Sequence, residues 1–324
     1  MKFNFNFIKN KKFFYSGAII ITIISILATI FLPLNLGIDM TGGIQIEYSY
    51  TNDINLDGIN QLIDKVKKDI KYQDKEFINT TTSYKILGEK KFIVEAGLNK
   101  IDDVDLNKLD VLKTQFKNEL TKGLSSISSS KITLTKYVNI GESFGSYIRN
   151  TAYITLFLAI IFISLYIMWA FRGAIEGFSS YPFAFVTGIS LFHDVIAALG
   201  FYVITSYFFP EFKVDTFFVT AMLTVLGYSI SDTIVVMDRI RSNLGTKIAR
   251  KIDFGTLVNN AINEVFTRSI YTSLTVLIVL ITMFIFGPVS TKGFVLAMIY
   301  GTIFGTYSSI AIAAPLLYDI SNKK

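Results

Sequence analysis

Six stretches of the chain are apolar over a length that can cross a lipid bilayer. About 20 mostly apolar residues are needed for a helix to span the hydrocarbon core. Windows of this kind lie at 13–34, 151–171, 181–209, 216–237, 269–288 and 293–317. The first is longer than the apolar core of a typical signal peptide, and no A-x-A-like site follows it, so we expect it to be retained as a span. The pattern predicts a bundle of six transmembrane helices.

A different pattern fills residues 37–148, which contain no such window. Alternation of apolar and polar residues predicts strands at 44–50, 77–87, 90–97 and 131–141, and amphipathic periodicity predicts helices at 56–70 and 102–120. We expect a turn at Gly88 and Glu89 and a loop at 125–130. The order βαββαβ is that of a ferredoxin-like α+β domain. Many functions use this fold, so we expect a binding or mechanical module without chemistry of its own.

Composition and the distribution of charge agree with a membrane protein and predict its orientation. Only 17% of the residues are charged, against about 25% in soluble proteins. Alternation of the spans places thirteen basic but only five acidic residues on one side, whereas the two short loops opposite hold only Lys213 and Lys292 as basic residues. The basic set is Lys2, Lys9, Lys11, Lys12, Arg172, Arg239, Arg241, Lys247, Arg250, Lys251, Arg268, Lys323 and Lys324, and the acids are Glu176, Asp238, Asp253, Glu264 and Asp319.

The positive-inside rule therefore places both termini in the cytoplasm. The predicted organisation is a cytoplasmic N-terminus with the first span at 1–36, an extracytoplasmic domain at 37–148, and a five-helix membrane domain with a cytoplasmic C-terminus at 149–324. The basic, amphipathic stretch 239–268 between the fourth and fifth spans predicts an interfacial helix rather than a nucleic-acid site.

Several classes of chemistry find little support in the residues. The chain has no cysteine and one histidine, which excludes disulfides, thiolate metal sites and multi-histidine centres. The segment GYSIS at 227–231 lacks the last glycine of a G-x-S-x-G nucleophile elbow and lies within a span. We expect no metal, no cofactor, no nucleic acid and no enzymatic activity.

Ionisable residues inside the spans are the strongest functional signal. A charged side chain at the bilayer centre costs about 2.5–3.5 kcal/mol on insertion scales. Asp232 interrupts the fourth span, His193 and Asp194 interrupt the third, and Arg268 opens the fifth. Asp232 and Arg268 both lie toward the cytoplasmic end, within reach of one another. Either they form a buried ion pair that fixes helix register, or Asp232 is a proton site, since burial opposes its charge and a nearby arginine favours it.

Small and polar residues mark three further features. The strip Thr220, Thr224, Gly227 and Ser231 on the fourth span is expected to face the bundle. Gly293, Ala297, Gly301 and Gly305 recur at four-residue spacing on the sixth span and predict a face for close helix packing. Gly37, Asp39, Gly42 and Gly43 of GIDMTGG predict a tight junction between the first span and the domain.

Taken together, these segments resemble the SecF family of bacterial protein translocase subunits, within the resistance-nodulation-division superfamily. The resemblance covers essentially the whole chain. It is carried by GIDMTGG at 37–43, FHD at 192–194, GYSISDTIVVMDRIR at 227–241, TRSIYTSLT at 267–275 and GTIFGTYSSI at 301–310. Ser231 stands where the family often has asparagine, and Met40 where an aromatic residue is common.

The resemblance implies a subunit that works with SecD beside the SecYEG channel, commonly with YajC. It implies that the proton motive force is used to complete the movement of unfolded exported polypeptides across the bacterial inner membrane. It also implies that Asp232 and Arg268 belong to a proton path. Asp194 and His193 are further candidates because they lie inside the third span. The alternatives are a proton-driven exporter of small molecules and a passive scaffold subunit.

Overall fold

The computed structural model describes residues 5–72, 75–86, 88–99, 106–127, 131–172, 179–245 and 252–321. Its elements in chain order are α1 (Lys11–Phe31), α2 (Ile38–Thr41), β1 (Gly43–Tyr50), α3 (Leu56–Asp69), β2 (Lys71–Tyr72), β3 (Lys75–Glu76), β4 (Ile78–Lys85), β5 (Lys91–Leu98), α4 (Leu106–Ile127), β6 (Ile132–Ile140), α5 (Glu142–Ala170), α6 (Tyr181–Phe208), α7 (Thr216–Leu244), α8 (Phe254–Phe286), α9 (Lys292–Ser308) and α10 (Ala314–Ser321). A 3₁₀ turn (Val289–Thr291) precedes α9, and a π-helical segment (Ser309–Ala313) joins α9 to α10.

Six segments of the described chain are long and apolar enough to cross a membrane, which confirms the predicted number. They are α1, α5, α6, α7, α8 and the continuous stretch Val289–Ser321. The chain is therefore a multi-pass membrane protein. Of the residues used to predict orientation, Lys2, Glu176, Lys247, Arg250, Lys251, Lys323 and Lys324 lie outside the described ranges.

Internal contacts divide the chain into two compact units. The membrane unit comprises Met1–Asn35 and Tyr153–Lys324, and the sheet unit comprises Leu36–Ala152. Each unit has its own buried apolar cluster.

The sheet unit is built on a four-stranded antiparallel sheet with the order β4-β5-β1-β6. Alternation along the central strand β1 buries Ile44, Ile46 and Tyr48 completely. Helices α3 and α4 contribute their apolar faces to the same core, through Ile59, Leu62, Ile63, Val66, Phe116, Leu120 and Leu124. Burial of each large apolar side chain is worth about 1.5–3 kcal/mol, so this core explains why the two sequence periodicities fold together.

Most element boundaries in the sheet unit lie close to the predicted ones. Helix α4 continues to Ile127, so its last turn replaces the start of the loop expected at 125–130, whose remainder lies outside the described residues. A short hairpin, β2 with β3, precedes β4 and was not predicted because two-residue strands carry no periodicity.

The sixth span is the central helix of the membrane unit. In its most apolar window 72% of the residues are buried, against 17% in α1 and 11% in α5. It contacts α6, α7 and α8, and α1 packs against α6. Helices α1 and α5 lie at the periphery of the unit. Their many exposed isoleucine and phenylalanine side chains agree with this position, since lipid accepts apolar side chains.

The interfacial helix predicted at 239–268 is wrong for the described residues. Helix α7 continues to Leu244, and α8 already begins at Phe254. Asp253 starts α8 because its carboxylate accepts hydrogen bonds from the amides of Gly255 (2.9 Å) and Thr256 (3.3 Å). The amphipathic residues are thus the extended ends of two spanning helices. They are joined across the bundle by an Arg239–Glu264 ion pair.

Candidate functional site: two buried carboxylates and a π-helical segment

Asp194 of α6 is completely buried and well supplied with donors. Its Oδ2 accepts hydrogen bonds from Ser229 Oγ of α7 at 2.5 Å and from Ser308 Oγ of α9 at 2.9 Å. Its Oδ1 lies 3.1 Å from Nδ1 of His193. Ser190, one turn earlier on α6, donates to Ser308 Oγ at 2.9 Å. Groups from three helices therefore surround this carboxylate, as a buried polar group requires.

Asp232 of α7 has different surroundings. It keeps 9% of its surface exposed, and its Oδ2 accepts a hydrogen bond from Ser309 Oγ at 2.7 Å. Within the described ranges no other side chain donates to it, whereas Asp194 has three neighbouring donors. Asp232 is thus the less enclosed and less saturated of the two acids.

The donors to the two acids are consecutive residues of one helix. Ser308 ends α9 and Ser309 begins the π-helical segment, and we call these two residues the serine pair. Together with Asp194, Asp232, Ser190 and Ser229, the serine pair forms what we call the carboxylate cluster. All of its members are buried between α6, α7 and the sixth span.

Pro315 gives a local reason for the π-helical segment. Proline has no amide hydrogen, and its ring collides with the carbonyl four residues earlier in an α-helix, here that of Ala311. An extra residue in the preceding turn relieves such a conflict, and π-helical turns within α-helices frequently mark functional sites. The five residues of the segment are all buried, so the irregular turn lies in the protein interior and not against lipid.

A second polar chain ties α7, α8 and α9 together near the cluster. Tyr228 donates to Ser273 Oγ at 2.8 Å, and Ser273 Oγ lies 2.6 Å from Thr306 Oγ1. Thr306 stands one turn before Ser309, whose hydroxyl also lies 3.0 Å from the Thr306 carbonyl. Near Asp232, α7, α8 and α9 are therefore joined by hydrogen bonds between hydroxyl groups.

Arg268 lies at the depth of Asp232 but is exposed and makes no contact with it among the described residues. The Tyr228–Ser273 and Arg239–Glu264 contacts fix an antiparallel register that places Asp232 within about one turn of Arg268 along the axis. The next residue, Ser269, is buried, whereas Arg268 is exposed. No hydrogen bond or ion pair joins Arg268 to Asp232 in the described part of the chain. The pairing suggested by the sequence is absent from this arrangement of the helices.

The small, polar strip on α7 does not face the bundle, contrary to expectation. Thr220, Thr224, Gly227 and Ser231 are all exposed. The neighbouring face, with Val225, Ser229 and Asp232, is buried. This face is buried because glycines of α9, in the sixth span, allow it to pack closely against that helix.

Helix α9 packs closely against α7 because two of its positions are glycines. A Cβ atom added at Gly301 would lie 2.3 Å from Val225 Cγ2, and one at Gly305 would lie 3.0 Å from Ser229 Cβ. Ala297 is fully buried on the same helix, and a Cβ at Gly293 would meet the Tyr202 hydroxyl at 2.9 Å. The absence of side chains at 301 and 305 therefore brings Ser229 and Asp232 to the centre of the unit.

GIDMTGG forms a short helix and a tight turn in the sheet unit. Gly37 precedes α2, Asp39 lies in its first turn, and Gly42 ends it with φ 76°. A Cβ at Gly42 would lie 2.5 Å from Glu142 Cα, and one at Gly43 would lie 2.5 Å from the Ala96 carbonyl oxygen. Positive φ and close backbone contact both require glycine, so Gly42 and Gly43 pack against neighbouring backbone within the sheet unit.

His193 is buried beside Asp194, and its Nε2 has no hydrogen-bond partner among the described residues. In the same residues no cluster of three or more acids or histidines is arranged to hold a metal ion. The chemistry that this site offers is proton uptake and release on carboxylates with hydroxyl donors.

Sequence reasoning identified both acids but missed the serine pair. Ser308 and Ser309 lie 114 and 77 residues from the aspartates they contact, and no local periodicity links them. Two signals were available: adjacent serines in an apolar span, and a proline six residues after Ser309. Together they indicate a helix irregularity that carries hydroxyl groups.

Comparisons with known proteins agree with this architecture. Residues 119–323 match the family described as "Protein export membrane protein SecD/SecF, C-terminal", and residues 28–54 match the "SecD/SecF GG Motif". The protein translocase subunit SecF of Thermodesulfovibrio yellowstonii is 31% identical over 87% of this chain and 82% of its own length. The SecF of Sebaldella termitidis is 33% identical over 88% and 81%.

Solved structures show the same fold. SecDF from Thermus thermophilus, described as a translocon-associated membrane protein, superposes with a TM-score of 0.76 at 24% identity and matches 98% of this chain. SecDF in a super-membrane-facing form gives 0.65 at 23%. This chain spans 39% of the length of each of those proteins. With a family match over well over half of its residues and SecF relatives above 30% identity, the chain belongs to the SecD/SecF family of protein export membrane proteins.

Proposed function

We propose that this chain is a SecF-type subunit that works with SecD to couple the proton motive force to the final stage of polypeptide export. The observation that carries the proposal is Asp232, an acid buried in a span with one hydroxyl donor. Asp194 lies nearby within the same cluster. A buried intramembrane acid is costly and marks a functional site by default.

In this proposal the chain lies in the bacterial inner membrane with both termini cytoplasmic and residues 37–148 periplasmic. The asymmetry of basic residues supports that orientation. We assign the periplasmic domain to the ferredoxin-like fold. Its βαββαβ order and the antiparallel strand arrangement β4-β5-β1-β6 support the assignment. The order of the three parts is then 1–36, 37–148 and 149–324.

Proton movement on Asp232 supplies enough free energy to bias a conformational equilibrium. One charge crossing the membrane potential yields about 2.3 kcal/mol per 100 mV, which shifts a two-state element by a few tens of fold. We infer that Asp232 alternates between a proton and a cationic partner. Arg268 is level with it and moves into contact in another arrangement of α7 and α8. His193 and Asp194 extend the path on the α6 side.

SecD is the partner that we assign to the exposed polar face of α7 and α8. Thr220, Thr224, Gly227 and Ser231 of α7, and Arg268, Thr272 and Thr275 of α8, are all exposed inside spanning helices. Small residues allow a second helix to approach closely, and an intramembrane arginine needs a partner other than lipid. The SecDF structures, of which this chain covers 39%, contain the remaining length in the same polypeptide.

The SecYEG channel, YajC and the unfolded exported polypeptide complete the proposed set of partners, with no cofactor. The description of one SecDF structure as translocon-associated supports placement beside the channel. No enzymatic step is required of this chain, because the proposed work is conformational.

A charge-neutral substitution tests the proposal. In cells depleted of the native protein, Asp232→Asn is expected to abolish proton-dependent export and proton flux, because the amide keeps the shape but cannot exchange the proton. The matched control is Asp238→Asn, which lies six residues later on α7, is exposed and pairs with Arg241. We expect the control to be close to wild type, since exposed pairs contribute little.

Undiminished export and proton flux with Asp232→Asn would reject the proposal and favour the passive scaffold.

The exporter alternative has one observation in its favour, an apolar cavity of about 350 Å³ in the membrane unit. It is bounded by the N-terminal segment, α8 and the sixth span, including Phe7, Phe14, Phe266 and Tyr307. Accumulation of small apolar drugs in cells lacking the chain, with export intact, would favour that alternative.

A further inference from the structure

The serine pair gives each of its hydroxyl groups two acceptors. Ser309 Oγ lies 2.7 Å from Asp232 Oδ2 and 3.0 Å from the Thr306 carbonyl. Ser308 Oγ lies 2.9 Å from Asp194 Oδ2 and 3.1 Å from the Gly305 carbonyl. Each hydroxyl can therefore donate to its acid when the acid is ionised, and to its own helix when the acid carries a proton.

Ser308 and Ser309 are neighbours at the boundary between α9 and the π-helical segment, so a change in that turn affects both hydroxyl groups. Each residue of a helix turns by about 100° and rises about 1.5 Å, so closing the π-helical turn to an α-helical one shifts the register of Ser309 against Ser308 and the following residues. In an α-helical turn the Ser308–Asp194 and Ser309–Asp232 hydrogen bonds cannot both be kept. The irregular turn therefore holds Asp194 of α6 and Asp232 of α7 in one register.

We propose that Ser308 and Ser309 are positioning residues that make Asp194 and Asp232 a single coupled proton site, with the π-helical segment as the element that changes register. This deepens the proposed function and rests on it. When Asp232 takes a proton, the carboxyl gains an O–H bond, Ser309 turns to the Thr306 carbonyl, and the loss of that contact weakens the hold of Ser308 on Asp194. The proton comes from hydronium in the adjoining solvent, whose O–H bond breaks as the carboxyl O–H bond forms, and no other covalent bond changes.

The titratable groups around the cluster are few. Asp194 faces His193 on α6, and the ring of His193 lies 6.5 Å from that of Tyr307 on α9. On α7 Tyr228 donates to Ser273 of α8, on α8 Arg268 lies at the same depth but is exposed, and on α1 Tyr15 is bonded to Asp319. None of these groups lies within hydrogen-bond distance of Asp232 in the described residues.

The test measures coupling between the two acids. The full-length chain is reconstituted in lipid vesicles with its co-purified membrane partner, and the carboxyl stretching bands of Asp232 are followed by infrared spectroscopy against pH. Asp194→Asn is expected to move the protonation midpoint of Asp232 by about one pH unit or more, the interaction above which two groups titrate as a coupled pair. In the variant Ser308→Ala with Ser309→Ala, the same substitution is expected to move the midpoint clearly less, because only the direct charge interaction between the two acids remains.

Thr302→Val is the matched control, because Thr302 is buried on the same helix and its hydroxyl has no partner among the described residues. The control should keep the full coupling. Pro315→Ala, which removes the cause of the irregular turn, should reduce the coupling with every serine in place. Melting temperatures of all variants confirm that they fold.

Undiminished coupling in the double serine variant would overturn the inference. That result is distinguishable from a failure of the proposed function, since the infrared midpoint does not depend on export. If Asp232→Asn abolishes export but the acids titrate independently in the wild type, only the role of the serine pair is wrong. If Asp232→Asn leaves export intact, the proposed function itself is wrong.

Discussion

The two acids of the carboxylate cluster differ in exposure and in hydrogen bonding. Asp194 is completely buried and has three hydrogen-bonding neighbours, whereas Asp232 is 9% exposed and has one. The hydrogen-bonding neighbours of Asp194 come from α6, α7 and α9, so this acid links the three helices. In the function that we propose, the partly exposed Asp232 is the acid that exchanges its proton.

Lys213 offers a pH test at the residue scale, outside the spans. It lies between α6 and α7 and is only 8% exposed. Burial lowers the pKa of Lys213 from 10.5 to about 8, and the charge of Asp215 partly offsets that effect. Between these two values the unfolded chain binds a proton that the folded chain does not, so stability rises with pH across this window and the charged lysine costs stability below it.

We expect the rise to amount to at most about 3 kcal/mol between pH 8 and pH 10.5. Lys213→Met should remove it, and thermal unfolding of both proteins over the alkaline range measures the difference. Lys292, the first residue of α9, provides the matched control as Lys292→Met, which should keep the wild-type profile. Parallel pH profiles for wild type and Lys213→Met would contradict the argument.

At the scale of elements, the fit of α9 against α7 brings the candidate site together. Gly301→Ala places a methyl group 2.3–2.8 Å from the side-chain carbons of Val225. We expect a loss of about 1–3 kcal/mol of stability, the usual cost of overpacking. Adding Val225→Ala removes the two nearest carbons and should restore part of the loss. Gly227→Ala on α7, with nothing within 4 Å, should be neutral or slightly stabilising, and equal melting temperatures for Gly301→Ala and Gly227→Ala would contradict the packing argument.

Elements with a strong periodicity could be predicted from the sequence, and contacts between distant elements could not. The six spans and the four main strands follow from local apolar patterns, which burial rewards directly. The buried face of α7 was assigned to the wrong side, because which side packs depends on the glycines of α9, some 75 residues away. The serine pair was missed for the same reason. Its role arises only when three helices meet.

At the scale of the whole molecule, the exposed polar face of α7 and α8 indicates that the membrane unit is not complete by itself. Arg268 and Thr272 of α8, and Gly227 and Ser231 of α7, are exposed within spanning helices. Lipid tails offer an arginine no partner, so the free energy of this face favours a second protein. The SecD helices that we assign to this face would then bring further charged groups to the depth of Asp232.

Bulky substitutions on this face should therefore separate the subunits without unfolding the chain. Gly227→Leu and Ser231→Leu are expected to weaken association with SecD at least about tenfold, or about 1.4 kcal/mol, because leucine blocks close helix approach. Energy transfer between labelled subunits in lipid vesicles measures the affinity. Thr155→Leu on α5 is the control, since Thr155 is an exposed polar residue of a different span. Wild-type affinity for both leucine variants on α7, with normal melting temperatures, would place SecD on another face and leave Arg268 in need of a different partner.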